Sequence, residues 1–265
     1  LSRYGNMLLY RGIENGKKVS RKIKYKPTIY VTSPKGQWSS LDGKKVAPVN
    51  FESMRDCKEW VDENSKVHGR EIYGNLRHAF SYINEQFPGN IEFNRDLVNI
   101  TSIDIEVASD DGFPEPVDAA KEVTAITIKN NIDNTYHVWG CNDYSVEDSI
   151  MKNTRVVYYK CANETELLAS FVNHWSTPSN TPDIITGWNS RYFDIPYLVN
   201  RINKLLPGEE KKLSPWGMVD VDRKANTNSR QAYTLGGIEH LDYLEIFKKF
   251  SYQYGPQESY SLNHI

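Results

Sequence analysis

The chain has 265 residues, of which 39% are hydrophobic and 25% are charged, and its formal net charge is −2. This composition is typical of a globular protein with one large or two ordinary domains, and it excludes an intrinsically disordered chain. The sequence contains no run of 18 apolar residues, so no membrane-spanning helix is predicted. Cys57, Cys141 and Cys161 are odd in number and widely spaced, which indicates reduced thiols in a cytosolic compartment.

The first 97 residues alternate short strand-like segments with turns and predict a smaller, mainly β domain. Asn15-Gly16 stands between two of these segments and is typical of a β-hairpin turn. A helix is predicted from about Met54 to Asn64. Ser53, followed three residues later by Asp56, resembles a capping box at its start.

Charge is distributed unevenly along the chain. Residues 11–26 carry seven basic side chains against one acid, whereas residues 104–122 carry seven acids against one lysine. A basic segment together with an acidic pocket suits a polyanion that is held at a cation-filled site. The alternative is a solvated acidic loop and an edge strand whose lysines prevent aggregation.

Residues 98–265 predict an α/β domain, a mixed sheet with helices on its faces. Strands are predicted at 98–107, 122–129, 135–139, 156–159 and 183–187, and amphipathic helices at about 164–175 and 195–206. Residues 218–236 predict a protruding hairpin with a polar tip at 225–228.

The strand at 98–107 contains two acids, Asp104 and Glu106, two residues apart. Alternate side chains of a strand share a face, so both carboxylates should project together, with Cα atoms about 6.6 Å apart. On a buried strand their repulsion would be unfavourable. Asp194, taken alone, is a favoured helix N-cap with Pro196 in the first turn. Taken together, the three acids predict a cluster at one end of the sheet, where hard divalent cations would relieve the repulsion.

Two motifs identify a family. The tripeptide DIE in an apolar strand, followed by GWNxxxFDxPY at 187–197, resembles the first two exonuclease motifs of family B DNA polymerases, in particular those of T-even-type bacteriophages and cyanophages. The likeness extends over nearly the whole chain and includes APxxFxSMxDxxxW at 47–60 and LDYLEIFKKF at 241–250.

This resemblance implies a ribonuclease-H-like fold for residues 98–265 and a polymerase N-terminal domain for residues 1–97. It implies the N-terminal and proofreading portion of a replicative DNA-directed DNA polymerase, which removes mispaired 3′-terminal nucleotides in the 3′→5′ direction. The expected partners are single-stranded and primer–template DNA, together with a sliding clamp and replisome proteins that bind other parts of the parent. The expected location is the cytoplasm of the host bacterium, with no membrane partner.

The resemblance also implies a site for two divalent ions. Asp104 matches the aspartate that bridges both ions, Glu106 matches the glutamate that binds one ion and helps to orient the attacking water, and Asp194 matches the carboxylate associated with the other ion. Ligation by carboxylates alone favours Mg²⁺ or Mn²⁺, because a zinc site would call for histidine or cysteine.

Further residues are expected to bind the substrate. Asn189 matches an asparagine that lies near the terminal nucleotide, and Phe193 is expected to pack beneath the site. Arg223, Lys224 and Arg230 flank the hairpin tip and are expected to contact DNA strands that separate between synthesis and proofreading. A solvated hairpin is the alternative.

The family pattern needs a fourth carboxylate in a YxxxD sequence after the second motif. Tyr144–Asp148 is the one YxxxD in the sequence, and it precedes that motif. We therefore expect an exonuclease domain truncated before its third motif, without the polymerase domain, that is inactive or severely impaired in isolation. There are two alternatives: a non-catalytic fragment that binds single-stranded nucleic acid, and a stand-alone exonuclease. The N-terminal domain at residues 1–97 argues against the stand-alone exonuclease.

Overall fold

The computed structural model describes residues 1–74, 76–110, 112–145, 147, 149–150, 154–223, 225 and 231–264. The chain divides into two compact units, unit 1 at Leu1–Phe93 and unit 2 at Asn94–Ile265. The boundary between these units falls at 93/94, whereas the sequence predicts a domain boundary at 97/98. The assignment of each domain within a polymerase stays a prediction.

Unit 1 consists mainly of short antiparallel strands. Its strands are β1 (Ser2–Tyr4), β2 (Met7–Glu14), β3 (Lys17–Ile23), β4 (Thr28–Thr32), β5 (Trp38–Ser39), β6 (Lys45–Asn50) and β7 (Ile72–Tyr73), and its helices are α1 (Met54–Asn64) and α2 (His78–Gln86). They form two sheets with the strand orders β1-β2-β3 and β5-β6-β4-β7. The expected smaller, mainly β N-terminal region is confirmed.

The hairpin turn and the helix cap that the sequence of unit 1 predicts are both present. Glu14 pairs with Lys17 across the hairpin, and Asn15 and Gly16 adopt φ angles of +49° and +73°, which Asn and Gly tolerate better than other residues. Helix α1 has the predicted bounds, and the Ser53 hydroxyl accepts a hydrogen bond from the Asp56 N–H at 3.2 Å. Helix α2 was missed, and its N-terminus has no side-chain cap that could have announced it.

Unit 2 contains a six-stranded mixed sheet in the order β11-β10-β9-β8-β12-β15. Its strands are β8 (Ile100–Val107), β9 (Val123–Asn130), β10 (Tyr136–Gly140), β11 (Val156–Lys160), β12 (Ile184–Gly187), β13 (Val219–Val221), β14 (Tyr233–Leu235) and β15 (Glu239–Asp242), and its helices are α3 (Glu164–Ser176), α4 (Asp194–Leu205), α5 (Tyr243–Lys249) and α6 (Ser251–Tyr254). Strand β8 runs antiparallel to β9 and parallel to β12, while β13 and β14 pair as a separate hairpin. The expected mixed α/β sheet with flanking helices is confirmed.

The core of unit 2 joins one face of the sheet to α3 and α4. Its buried members on the strands and helices include Ile103, Ile105, Ile126, Trp139, Leu167, Phe171, Leu198 and Ile202. Alternate residues of β8 enter this core. A shift of the strand by one residue would exchange its buried and exposed faces, so the core fixes the register of β8. In the part of the chain that the structure describes, no helix combines the length and apolar character that crossing a bilayer requires.

Candidate active site

Asp104 and Glu106 lie on the same face of the central strand β8, as predicted. Ile103 and Ile105 are buried, whereas Asp104 and Glu106 are exposed. The expectation of a buried strand is wrong for this face, because only the opposite face of β8 enters the core. Contact with water weakens the repulsion between the two carboxylates.

Asp194 is the first residue of α4, and only 3% of its surface is exposed. Its Oδ1 accepts a hydrogen bond from the N–H of Ile105 in β8 at 3.0 Å. The cap position of α4 belongs to Phe193, whose side chain makes no capping hydrogen bond. The interpretation of Asp194 as a helix cap is therefore wrong, and its carboxylate instead joins α4 to the central strand.

The end of the pairing between β12 and β8 leaves a backbone position on β8 that Asp194 occupies. Parallel pairing between these strands ends where Thr186 lies opposite Ser102. At the next residue, Gly187, an added Cβ atom would lie 2.6 Å from the carbonyl oxygen of Ile103, so a side chain would collide with β8 there. Past this contact, the Asp194 carboxylate accepts a backbone hydrogen bond that a longer β12 would have accepted.

Asp104 and Asp194 form a pair of neighbouring acids. Burial, and after it the negative charge of Asp104, raises the pKa of Asp194 to about 7. Desolvation of the carboxyl group also raises the pKa of Asp104, although the residue as a whole is exposed. Both shifts mean that the site disfavours the charged forms of its acids until a cation arrives.

The chemistry of these donors fits a hard divalent cation. Carboxylate oxygens are the ligands that Mg²⁺ and Mn²⁺ prefer, and the raised pKa of Asp194 marks negative charge that a cation would stabilise. Within the described residues, no three His, Cys, Asp or Glu side chains are already gathered into a group that could hold a metal ion. The structure brings Asp104 and Asp194 together and places Glu106 on the same face of β8 as Asp104.

Asn189 lies in the loop between β12 and α4, and its φ angle of +59° is in the left-handed region. The carboxylate of Asp242, at the end of β15, accepts hydrogen bonds from the N–H groups of Asn189 at 3.2 Å and Arg191 at 2.9 Å. Sequence reasoning missed Asp242. Its position between a short strand and the helix-like segment YLEIFKK is a signal for a helix cap alone.

Asn189 and Phe193 line a common cleft of about 200 Å³. The other residues that line it are Phe113, Glu115, Pro116, Val117, Tyr192 and Gln231. The Phe193 ring contacts those of Phe113 and Tyr197, with centroid distances of 5.3 and 5.8 Å. Phe193 therefore packs towards the core and also forms one wall of the cleft.

The residues assigned to the hairpin are only partly described. Arg223 is exposed just beyond β13. Lys224 and Arg230 lie outside the described residues, as do residues 226–228 of the tip and Asp148, the acid of the misplaced YxxxD sequence.

The mixed sheet, its flanking helices and the acids on its central strand define a ribonuclease-H-like α/β domain. The family model for the exonuclease domain of DNA polymerase family B matches residues 59–265. The chain therefore belongs to this family, and the resemblance drawn from its motifs is confirmed.

Three relatives show how much of a polymerase the chain represents. The DNA-directed DNA polymerase of Escherichia phage RB69 is 33% identical over 98% of this chain and 31% of its own length. That of Enterobacteria phage T4 is 32% identical over the same shares of both chains. The DNA polymerase catalytic subunit of Elephantid herpesvirus 1 is 32% identical over 43% of this chain and 11% of its own length. The chain thus spans about a third of the phage polymerases that it matches.

Proposed function

We propose that this chain is the N-terminal and proofreading portion of a replicative DNA-directed DNA polymerase. Its exonuclease domain would remove mispaired 3′-terminal nucleotides from DNA in the 3′→5′ direction. The supporting observation is the hydrogen bond that holds buried Asp194 against β8, beside Asp104, in a member of the family B exonuclease domain family. The setting is the cytoplasm of the host bacterium, and a sliding clamp and replisome proteins are the partners of the whole polymerase.

Asp104, Glu106 and Asp194 are the residues that would hold Mg²⁺ or Mn²⁺. Exonuclease domains of family B polymerases are typically dependent on divalent metal ions. When bound, such ions activate a water molecule and stabilise the departing 3′ oxygen. The protein contributes placement, because the Ile105 N–H fixes the Asp194 carboxylate and the rigid strand fixes Asp104 and Glu106.

The cleft that Asn189 and Phe193 line is the proposed place of the 3′-terminal nucleotide. Asn189 would contact this nucleotide, and Phe193 would form the wall behind it. Arg223, Lys224 and Arg230 would meet the DNA backbone where the strands separate. In a polymerase that contains this chain, shortening residues 225–228 should reduce excision from paired primer ends and spare single-stranded DNA. Unchanged rates on both substrates would exclude this role of the hairpin.

Calorimetric titration with Mn²⁺ tests the metal site. Wild type should bind Mn²⁺ and Asp104→Ala should not, while Asp220→Ala, a change at an exposed position of β13, should bind as wild type does. Equal binding by wild type and Asp104→Ala would contradict the assignment. DNA binding that needs neither divalent ions nor Asp104, in a protein that releases no nucleotide, would favour the non-catalytic alternative.

A further inference from the structure

The carboxylate of Asp242 is a meeting point for four backbone N–H groups. The residue is 1% exposed. Its Oδ1 accepts hydrogen bonds from Leu244 at 2.8 Å and Glu245 at 3.4 Å, at the start of α5, and from Asn189 at 3.2 Å. Its Oδ2 accepts one from Arg191 at 2.9 Å. One side chain thus caps α5 and also fastens the loop between β12 and α4, which we call the 188–193 loop.

Through these four hydrogen bonds, both oxygens of Asp242 stabilise the backbone around them. A buried carboxylate is stable when several N–H groups surround it, because they replace the water that it has lost. Three of these donors surround Oδ1, and the fourth binds Oδ2. Asp242 is therefore a clamp on the backbone, although its negative charge is close enough to Asp194 to contribute to the raised pKa of that residue.

The clamp acts on a residue whose backbone is in the left-handed region. Asn189 has a φ angle of +59°, a region in which residues other than glycine are uncommon. Its N–H and that of Arg191 both point to Asp242. The guanidinium group of Arg191 holds the loop from a second side, through Asp222 at 2.8 Å and Glu245 at 3.2 Å. Contacts with Asp242, Asp222 and Glu245, which lie outside the loop, thus help to fix the 188–193 loop.

We propose that Asp242 is a positioning residue, which fixes the 188–193 loop so that Asn189 faces the 3′-terminal nucleotide in the cleft. The inference rests on the proposed function, since that function supplies the nucleotide. Asp242 itself touches neither the nucleotide nor the metal ions. Its role is to keep Asn189 in one conformation before the substrate arrives, which lowers the entropy lost on binding.

Asp242→Asn separates this role from helix capping. The amide oxygen can keep the position of Oδ1 and its three hydrogen bonds, including those to Leu244 and Glu245, because asparagine is as good a cap as aspartate. The amide nitrogen then replaces Oδ2 and faces the N–H of Arg191, so two donors oppose each other. Asp220→Asn, at an exposed position of β13, is the matched control.

Amide hydrogen exchange and nucleotide binding are measured on the whole 265-residue chain. In Asp242→Asn, exchange of the Arg191 amide should accelerate about five- to tenfold, the effect of one lost hydrogen bond, while exchange at Leu244 and Glu245 stays as in wild type. Binding of deoxythymidine monophosphate with Mn²⁺ should weaken by a similar factor. Asp220→Asn should match wild type in both measurements.

Three results would overturn the positioning role. The first is wild-type exchange at Arg191 in Asp242→Asn, and the second is accelerated exchange with unchanged nucleotide binding. The third comes from Arg191→Ala, which keeps the N–H and removes the guanidinium group: loss of protection at residues 189–191 in this variant would show that the side chain of Arg191, not Asp242, fixes the loop. This third measurement decides the question even if Asp242→Asn does not fold.

Asp104→Asn distinguishes failure of this inference from failure of the proposed function. It removes a proposed metal ligand and should abolish Mn²⁺-dependent nucleotide binding while exchange at Arg191 stays slow. A wild-type chain that binds no nucleotide would overturn the proposed function, and with it the role of Asp242 in that function. The clamp on the loop would still be visible in the exchange rates.

Discussion

Replacing Asp194 with asparagine should stabilise the metal-free protein at alkaline pH. Asparagine keeps an oxygen for the Ile105 N–H and removes a buried negative charge beside Asp104. Between the ordinary pKa of 3.8 and the folded-state pKa of about 7, the unfolded chain releases the proton while the folded protein retains it. Stability of the wild type therefore falls as the pH rises through this window, by about 1.4 kcal/mol per pH unit, and the total loss above pH 7 is on the order of 4 kcal/mol.

Urea unfolding in EDTA, repeated at intervals between about pH 5 and pH 8, measures this difference. The advantage of Asp194→Asn should widen as the pH rises and become constant above about pH 7. Mn²⁺ should reduce the difference in free energy of unfolding, because it stabilises the wild type alone. The free energy of unfolding of Asp220→Asn should stay within about 0.5 kcal/mol of the wild-type value at every pH. A wild type that is as stable as the variant at about pH 8 would refute the reasoning, because the charged carboxylate would then strengthen the fold.

Burial lowers the pKa of His174 from 6.5 to about 4. As the pH drops through that range, the unfolded chain takes up the proton first, so the free energy of unfolding falls. His174→Gln should flatten the dependence of this free energy on pH there, and an unchanged slope would show that His174 is not its cause. Arg201→Met leaves the buried Glu164 carboxylate without the guanidinium group that contacts it at 2.6 and 2.8 Å, and should lower the free energy of unfolding by about 3–5 kcal/mol. Adding Glu164→Gln should restore part of that loss, and an equal loss in both variants would contradict the role of the ion pair. Glutamine in place of the three lysines of edge strand β3 should reduce the salt dependence of single-stranded DNA affinity, whereas an unchanged slope would favour protection of the edge.

Side-chain period explains which elements could be predicted. Strand β8 alternates buried and exposed residues, and α4 carries an apolar stripe from Ile195 to Ile202, so both patterns are visible without a structure. Helix α2 is short and has no side-chain cap at its N-terminus, so its local sequence lacks a start signal. Its position depends on contacts within unit 1, which no local window of sequence contains.

In the candidate site, too, local features could be predicted from the sequence and contacts between distant residues could not. The shared face of Asp104 and Glu106 follows from the period of a strand. The contact between Asp194 and Ile105 joins residues 89 positions apart, and the contact between Asp242 and Asn189 joins residues 53 positions apart. A local window shows each of these two aspartates as a cap. It could not show that Asp194 binds a strand or that Asp242 also fastens a loop.

One irregularity of the sheet accounts for both properties of Asp194. Strand β9 accompanies β8 as far as Val107, whereas β12 stops pairing at Ser102. The second half of β8 therefore has a strand neighbour on one side only, and the N–H of Ile105 needs another acceptor. Asp194 supplies that acceptor from α4 and, in doing so, brings a buried negative charge next to Asp104. The backbone defect that binds the carboxylate thus also creates the repulsion that a divalent cation would relieve.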